Sequence, residues 1–111
     1  MPLRHALGPR LYILDGKRPV PEPNLLKWAQ WFEHADRLVA HTVQGELSVS
    51  TVFLGLDHSY FTGPPILFET MVFRAGGSGE TDRYSTWEEA EKGHAEMVKL
   101  ALSKNYQRIE T

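Results

Sequence analysis

The sequence predicts an α+β fold, in which an antiparallel sheet of three to five strands packs against two amphipathic helices. Short runs rich in β-branched and aromatic residues alternate with turn signals, as in antiparallel hairpins. Two other segments repeat apolar residues at helical spacing and lie outside those runs. Segregation of helices from strands is typical of α+β proteins. At 111 residues the chain fits a single domain.

The N-terminal region predicts a loose arm followed by a small hairpin. Residues 1–9 carry proline and glycine and are expected to form the arm. Residues 10–14 are typical of a short strand, and Asp15-Gly16 is a two-residue turn signal. Residues 17–20 are expected to return as an edge strand, because Pro19 cannot donate to a central ladder.

A first helix is predicted over residues 25–38, with Asn24 as its N-cap. One side of this helix carries Leu25, Trp28, Ala29, Phe32, Ala35 and Asp36, which are apolar except for the last. The opposite side carries Lys27, Gln30, Glu33, His34 and Arg37. This amphipathic pattern predicts a helix with one face against the core.

The middle of the chain predicts a meander of three strands. The expected strands are residues 38–43, 47–55 and 66–73. The expected connections are a turn at residues 44–46, a polar loop at 57–65 and a flexible glycine-rich tip at 74–82. Arg83 and Tyr84 are expected to re-pair briefly after the tip.

A second helix is predicted to begin with a capping box, with Ser85 at the N-cap and Glu88 at N3. It is expected to end near Lys104, with residues 105–111 frayed. Gly93 costs about 1 kcal/mol relative to alanine, and its lack of a side chain would allow close packing on the sheet. The histidine of the buried stripe is expected to be a hydrogen-bonded core residue. That stripe is Trp87, Ala90, His94, Met97, Val98 and Ala101.

Composition excludes several classes of function. A net charge of -2 argues against non-specific nucleic-acid binding, which requires a basic face. The absence of cysteine excludes thiol catalysis, disulfides and cysteine-ligated metals. No apolar run approaches the ~20 residues of a membrane-spanning helix. We therefore expect a soluble, cytoplasmic protein with no membrane partner, and we predict no cofactor.

The third predicted strand has two apolar faces. Its even positions, Ile66, Phe68, Thr70 and Val72, are expected to face the helices. Its odd positions, Leu67, Glu69, Met71 and Phe73, are too apolar for a solvated face. A carboxylate in such surroundings is costly unless it is paired. Either the N-terminal hairpin covers this second face, or a second subunit or a ligand does; we predict a homo-oligomer.

One cluster of residues could support catalysis. Asp57 and His58 follow a strand, Glu69 lies on the next strand and His41 on a neighbouring one. Such groups serve in acid–base chemistry and bind zinc or manganese. One hypothesis is therefore a metal-assisted hydrolase or nuclease with Asp57, His58 and Glu69 as catalytic residues, and with His41 added to them as metal ligands. No His-Glu-x-x-His spacing supports it, and Asp57 could instead cap its own turn while His58 is solvated.

A second group of residues suits ligand binding without catalysis. Arg74 and Arg83 flank the glycine-rich segment, where charge and backbone amides could clasp a phosphate. Tyr60 and Phe61 could anchor a partner or stack on a base, or could fold back over the core. The predicted ligand-binding residues are Asp57, His58, Tyr60, Phe61, Glu69, Arg74 and Arg83.

Four segments resemble an uncharacterised group of small bacteriophage and prophage proteins. They are WAQWF at 28–32, VFLGLDH at 52–58, GPPILFETMVF at 63–73 and YSTWEEAEKGH at 84–94. The resemblance covers roughly residues 11–98. It implies a small accessory protein, acting in the host cytoplasm, that counters host defence by binding a host protein or by sequestering a nucleotide-like ligand. Two other functions stay open: the hydrolase described above and a structural component of the virion.

Overall fold

The computed structural model of the chain describes residues 10–59 and 63–110, and for Ser78 and residues 105–110 it describes the backbone alone. The predicted arm at residues 1–9 lies outside the described residues. The elements are β1 (Tyr12–Asp15), β2 (Arg18–Pro21), α1 (Leu25–His34), β3 (Leu38–Gln44), β4 (Leu47–Phe53), β5 (Phe68–Arg74), β6 (Gly77–Tyr84) and α2 (Trp87–Glu110).

The strands form two antiparallel sheets. One is the β1–β2 hairpin, and the other is a four-stranded meander in the order β3-β4-β5-β6. The predicted α+β fold with two helices is therefore confirmed, and the meander has one strand more than the sequence indicated. The hairpin turn is Gly16–Lys17, one residue later than predicted, because Asp15 pairs with Arg18.

The N-cap of α1 is Asn24, as predicted, and its Oδ1 accepts the backbone N–H of Lys27 at 2.9 Å. The rings of Trp28 and Phe32 stack with their centroids 4.7 Å apart. They lie over Gly55, which has a φ of +79° and where a Cβ would stand 2.9 Å from a Phe32 ring carbon. Glycine is therefore required there for both its backbone conformation and the close approach of the helix.

Helix α1 ends at His34 rather than near Leu38. The side chain of Asp36 accepts the backbone N–H of Leu38 at 3.1 Å. The guanidinium of Arg37 donates to the carbonyl of Phe53 at 2.9 Å. These two bonds favour an extended link from α1 into β3, because a short acidic side chain competes with helical bonding.

Only the end of strand β6 was predicted: the expected re-pairing of Arg83 and Tyr84 is confirmed, since they pair with Glu69 and Phe68 of β5. The predicted flexible tip at residues 74–82 is mostly strand, and the turn itself is only Ala75–Gly76. β6 pairs with β5 from Phe68↔Tyr84 to Arg74↔Gly77, with one irregularity. Glycines lower local β propensity, but pairing with a neighbouring strand overrides it.

Helix α2 is capped by Thr86 rather than by Ser85. The Thr86 hydroxyl accepts the N–H of Glu89 at 3.0 Å. The Glu89 carboxylate in turn accepts the backbone N–H groups of Thr86 and Ser85, each at 3.1 Å. The capping box therefore exists one residue later than predicted. The helix also continues past its predicted end, through residues 105–110.

The two described core clusters lie on one side of the meander, which we call the inner face. Where α2 crosses the sheet, it packs on Leu47, Val49 and Val72 through Met97 and Ala101. At the other end, the N-terminal hairpin, α1 and the start of α2 pack on Phe53, Leu67 and Phe68 through Tyr12, Leu14, Trp31, Trp87 and Ala90. The hairpin and both helices therefore cover the same face of the sheet.

The alternation predicted for β5 holds from Phe68 onward. Phe68, Thr70 and Val72 are fully buried, whereas Phe73 is exposed. Leu67 was expected on the second face, but it is 1% exposed and belongs to the core. It precedes the strand, so the period of two does not apply to it.

Neither helix in the described part of the chain has both the length and the apolar character needed to span a lipid bilayer.

Candidate functional site

Asp57 closes its own loop. Its Oδ1 accepts the backbone N–H groups of Ser59 at 2.8 Å and Ile66 at 2.9 Å, and its Oδ2 lies 3.1 Å from Arg10. Burial raises the pKa of Asp57, but these hydrogen bonds outweigh it and hold the pKa below its ordinary value. A general base needs a pKa near the working pH. The alternative in which Asp57 caps its turn is thus confirmed by its bond to Ser59.

The predicted metal ligands do not come together. Among residues 10–59 and 63–110, no group of three or more His, Asp or Glu side chains lies close enough to hold a metal ion. The ring of His41 instead lies 3.1 Å from the Ser48 hydroxyl. The backbone N–H of His58 donates to the carbonyl of Ile66 at 2.9 Å. His41, Asp57, His58 and Glu69 therefore do not form a metal-binding group.

Glu69 has a partner that the sequence did not identify. Its carboxylate lies 2.9 Å from Arg83 Nε, and the two residues are register partners on β5 and β6. The Glu69 side chain is 16% exposed. A cross-strand ion pair compensates a half-buried charge. The ion-pair partner that the half-buried carboxylate of Glu69 requires is therefore supplied by Arg83 within the sheet.

Arg74 lies at the opposite end of the sheet from Asp57. Its Nη1 lies 2.6 Å from the carboxylate of Glu80, which also receives Lys104 Nζ at 2.8 Å. Hydrogen bonds from Arg74 and then from Lys104 lower the pKa of Glu80 to about 2. These contacts tie β5, β6 and α2 together. At about 3.3 Å per residue, the seven residues of β5 separate its two ends by roughly 20 Å.

The predicted ligand-binding residues consequently do not form one site. Arg74 lies beside the β5–β6 turn, and Asp57 and His58 lie at the other end of the sheet. Tyr60 and Phe61 lie outside the described residues. Glu69 and Arg83 are paired with each other on the face of the sheet away from the helices.

A buried chain of hydrogen bonds crosses the core. The hydroxyl of Tyr84 donates to Thr70 at 3.1 Å, and Thr70 and Thr51 lie 2.5 Å apart. Thr51 contacts His94 Nδ1 at 2.7 Å, and His94 Nε2 contacts the Thr42 hydroxyl at 2.9 Å. The expectation of a hydrogen-bonded core histidine is confirmed. The chain links α2 to all four strands of the meander.

One set of donors satisfies every group in that chain. If Tyr84 donates to Thr70, Thr70 to Thr51 and Thr51 to His94 Nδ1, then Nε2–H of a neutral His94 donates to Thr42. Burial lowers the pKa of His94 and raises the pKa of Tyr84. Their ordinary values, 6.5 and 10.0, already make proton transfer from tyrosine to histidine cost about 5 kcal/mol. These hydrogen bonds are therefore better suited to stabilising the fold than to transferring protons in catalysis.

An open cleft of about 390 Å³ lies between β6 and α2. Tyr84 and Gly93 line it together with side chains of both signs, including Arg83, Lys92 and Glu96. Mixed charge and an open shape favour no single class of small ligand.

The side of the meander opposite the helices is the outer face. The register aligns its residues in rows across the strands: Val43, Ser48 and Phe73; His41, Ser50, Met71 and Thr81; and Leu38, Val52, Glu69 and Arg83. Val43 is 63% exposed, Leu38 is 46% exposed and Phe73 is 41% exposed. No element within residues 10–59 and 63–110 packs on this face.

Comparisons with known proteins do not identify the chain. A scan of family models, a search of curated proteins and a search of solved structures each found no match. The function must therefore be argued from the geometry.

Proposed function

We propose that this chain is a non-enzymatic binding protein of phage type, which works through protein–protein contact at the outer face. The observation that supports it is that this face exposes Leu38, Val43 and Phe73 while the described elements cover only the inner face. The half-buried Val52 and Met71 lie diagonally between Leu38 and Phe73 in the register, which makes an apolar stripe across the face. A large exposed apolar patch is uncommon in monomeric proteins and marks contact sites.

The chemistry of the outer face suits a protein partner better than a small anion. Its side chains are apolar or small, apart from His41 and the Glu69–Arg83 pair. An open sheet face lacks the enclosed, concave shape of small-molecule sites, whereas protein interfaces have apolar centres and polar rims. The only arginine among its paired rows, Arg83, already contacts Glu69. A nucleotide-like ligand is therefore the weaker of the two predicted partners.

The other two candidate functions have no comparable support. The carboxylate of Asp57 accepts backbone N–H groups of its own loop, and no metal-binding group exists among the described residues. No observation favours a virion component. A host target and a role against host defence rest on the resemblance to phage proteins and stay predictions.

Photo-crosslinking from a single position tests this function. A photoreactive amino acid replaces Thr81, which is exposed on the outer face, in protein produced in its bacterial host. We expect covalent adducts with protein, detected by mass, because a contact partner would lie over this position.

The matched control places the same amino acid at Leu100, which is 46% exposed on α2. Adducts from Thr81 and none from Leu100 support the proposal. Equal adducts from both positions, or none from Thr81, contradict it.

A further inference from the structure

The outer face has a ridge beside a furrow. The ridge follows β5 and consists of the large side chains Glu69, Met71 and Phe73. The furrow follows β4 and consists of the smaller side chains Ser48, Ser50 and Val52. Each ridge residue lies beside a furrow residue in the register: Phe73 beside Ser48, Met71 beside Ser50 and Glu69 beside Val52.

This relief is complementary to itself. Consider a two-fold axis that lies above the outer face, halfway between two packed sheets, and runs parallel to the strands over the line midway between β4 and β5. Rotation about this axis places the ridge of one copy over the furrow of the other. Positions along the strands are unchanged by this rotation, so Phe73 meets the partner's Ser48 and Met71 meets the partner's Ser50. Packed sheets interlock in this way at a spacing of about 10 Å, with strands about 30° from parallel.

The flanking strands match under the same rotation. Val43 of β3 lies over the start of β6, where Gly77 and Gly79 have no side chains. Leu38 lies over Arg83, whose aliphatic stem can receive it while the guanidinium stays with Glu69. No unpaired charge is buried, since each copy brings its own Glu69–Arg83 pair.

We propose that a second copy of this chain covers the outer face, as an isologous dimer with ridge in furrow. This inference rests on the proposed function, because it names a second copy of the chain as the protein that contacts the outer face. Isologous two-fold dimers are the commonest oligomers and need a self-complementary surface. Both copies then present their β3–β4 and β5–β6 turns at the same end of the dimer.

The size of the face predicts how firmly the copies associate. At about 4.8 Å between strands and 3.3 Å per residue, the meander measures roughly 15–20 Å in each direction. Its projected area is thus about 200–400 Å². Packing on a face of this size buries less accessible surface than the ~800 Å² that each partner buries in a standard interface. We expect a dimer that dissociates on dilution.

Sedimentation velocity over a range of concentrations tests the dimer. The full chain is expected to shift from monomer to dimer as its concentration rises. Phe73→Ser removes the end of the ridge and is expected to raise the dissociation constant at least ~10-fold, as for a buried aromatic anchor. The control Leu100→Ser removes an apolar side chain exposed to a similar degree on α2 and is expected to leave it unchanged.

A compensating pair of substitutions tests the ridge-in-furrow geometry. Ser48→Phe fills the furrow and is expected to weaken the dimer, because the new ring meets the partner's Phe73. Combining Ser48→Phe with Phe73→Ser moves the bulk from β5 to β4 in both copies, which restores the match. The double variant is therefore expected to dimerise better than either single variant, with circular dichroism confirming that each is folded.

The outcomes separate this inference from the proposed function. A wild-type chain that is monomeric at every concentration overturns the dimer, while crosslinks from Thr81 to another protein would leave the proposed function standing. A dimer that Phe73→Ser does not weaken overturns the ridge-in-furrow interface and indicates pairing elsewhere, such as at the free edge of β3 or β6. If Thr81 also yields no crosslink, the proposed function fails as well.

Discussion

Tyr84 occupies the space that a side chain on Gly93 would need. A Cβ at Gly93 would stand 2.2 Å from a ring carbon of Tyr84 and 2.4 Å from its hydroxyl oxygen. The glycine in α2 therefore admits the tyrosine ring under the helix, where its hydroxyl reaches Thr70 at 3.1 Å. A residue that weakens the helix locally thus allows the buried hydrogen-bond chain to form.

Gly93→Ala should destabilise the fold by about 1–3 kcal/mol, because overpacking outweighs the better helix propensity of alanine. The measurement is the free energy of unfolding in urea. The control is the same substitution in a Tyr84→Ala background, where the space is empty. There Gly93→Ala should stabilise the protein by up to ~1 kcal/mol. Destabilisation of equal size in both backgrounds would show that the ring contact is not the cause.

Thr51→Val should cost about 1–3 kcal/mol, because it leaves the Thr70 hydroxyl and His94 Nδ1 without their buried partner. Chemical denaturation measures this loss. Thr42→Val is the control at the half-buried end of the hydrogen-bond chain, where water can replace the hydroxyl. It should lower the free energy of unfolding by less than Thr51→Val does. A larger loss for Thr42→Val than for Thr51→Val would contradict the buried chain.

His94 should make stability depend on pH in mild acid. Burial lowers its pKa in the folded protein below the ordinary 6.5, so the unfolded chain takes up the proton first. The contribution of neutral His94 to the free energy of unfolding is complete above about pH 7.5. It is lost as the pH falls below about 6.5, by at most ~1.4 kcal/mol per pH unit. Urea denaturation between pH 5 and 7.5 measures this slope.

His94→Gln is the matched variant for that slope. It removes the titrating group, so its slope between pH 5 and 7.5 should be shallower than that of the wild type, whatever its absolute stability. Asp57 and Glu80 also have lowered pKa values, but their ordinary values of 3.8 and 4.5 place their losses at lower pH. Identical slopes in the two proteins would refute the assignment to His94.

Asp57→Ala should lower stability by about 1–3 kcal/mol, since the N–H groups of Ser59 and Ile66 lose their acceptor. Asp57→Asn keeps an amide oxygen for those donors and loses only the ion pair with Arg10, so its loss should be smaller. Thermal unfolding followed by circular dichroism compares the two. If alanine were tolerated as well as asparagine, the carboxylate would not be a structural cap.

The helices and most strands could be predicted because their signals are local. Asn24 caps α1 as its side-chain type indicates, and the apolar spacing of α2 identified its buried stripe. Only Arg83 and Tyr84 at the end of β6 could be predicted, because the glycines before them are typical of a loop and form a strand only by pairing with β5. Leu67 was misplaced because tertiary contacts, and not the alternation itself, decide where a strand begins.

The candidate site was predictable only in part, for the same reason. The anomaly of Glu69 in an apolar run was visible, but its partner Arg83 depends on a register that the sequence does not contain. His94 was identified as a core residue, whereas its links to Thr51 and Thr42 require the packing of α2 on the sheet. The outward direction of Met71 and Phe73 followed from alternation alone.

Hydroxyl-radical footprinting of Met71 tests most directly whether a protein covers the outer face. Its labelling is compared in dilute buffer, at high protein concentration and in extract of the cells that produce the protein, with Met97 in the core and Leu100 on α2 as internal controls. We expect Met71 to be labelled in dilute buffer and protected in at least one of the other two conditions, while the controls do not change. Equal labelling of Met71 in all three conditions would contradict the account.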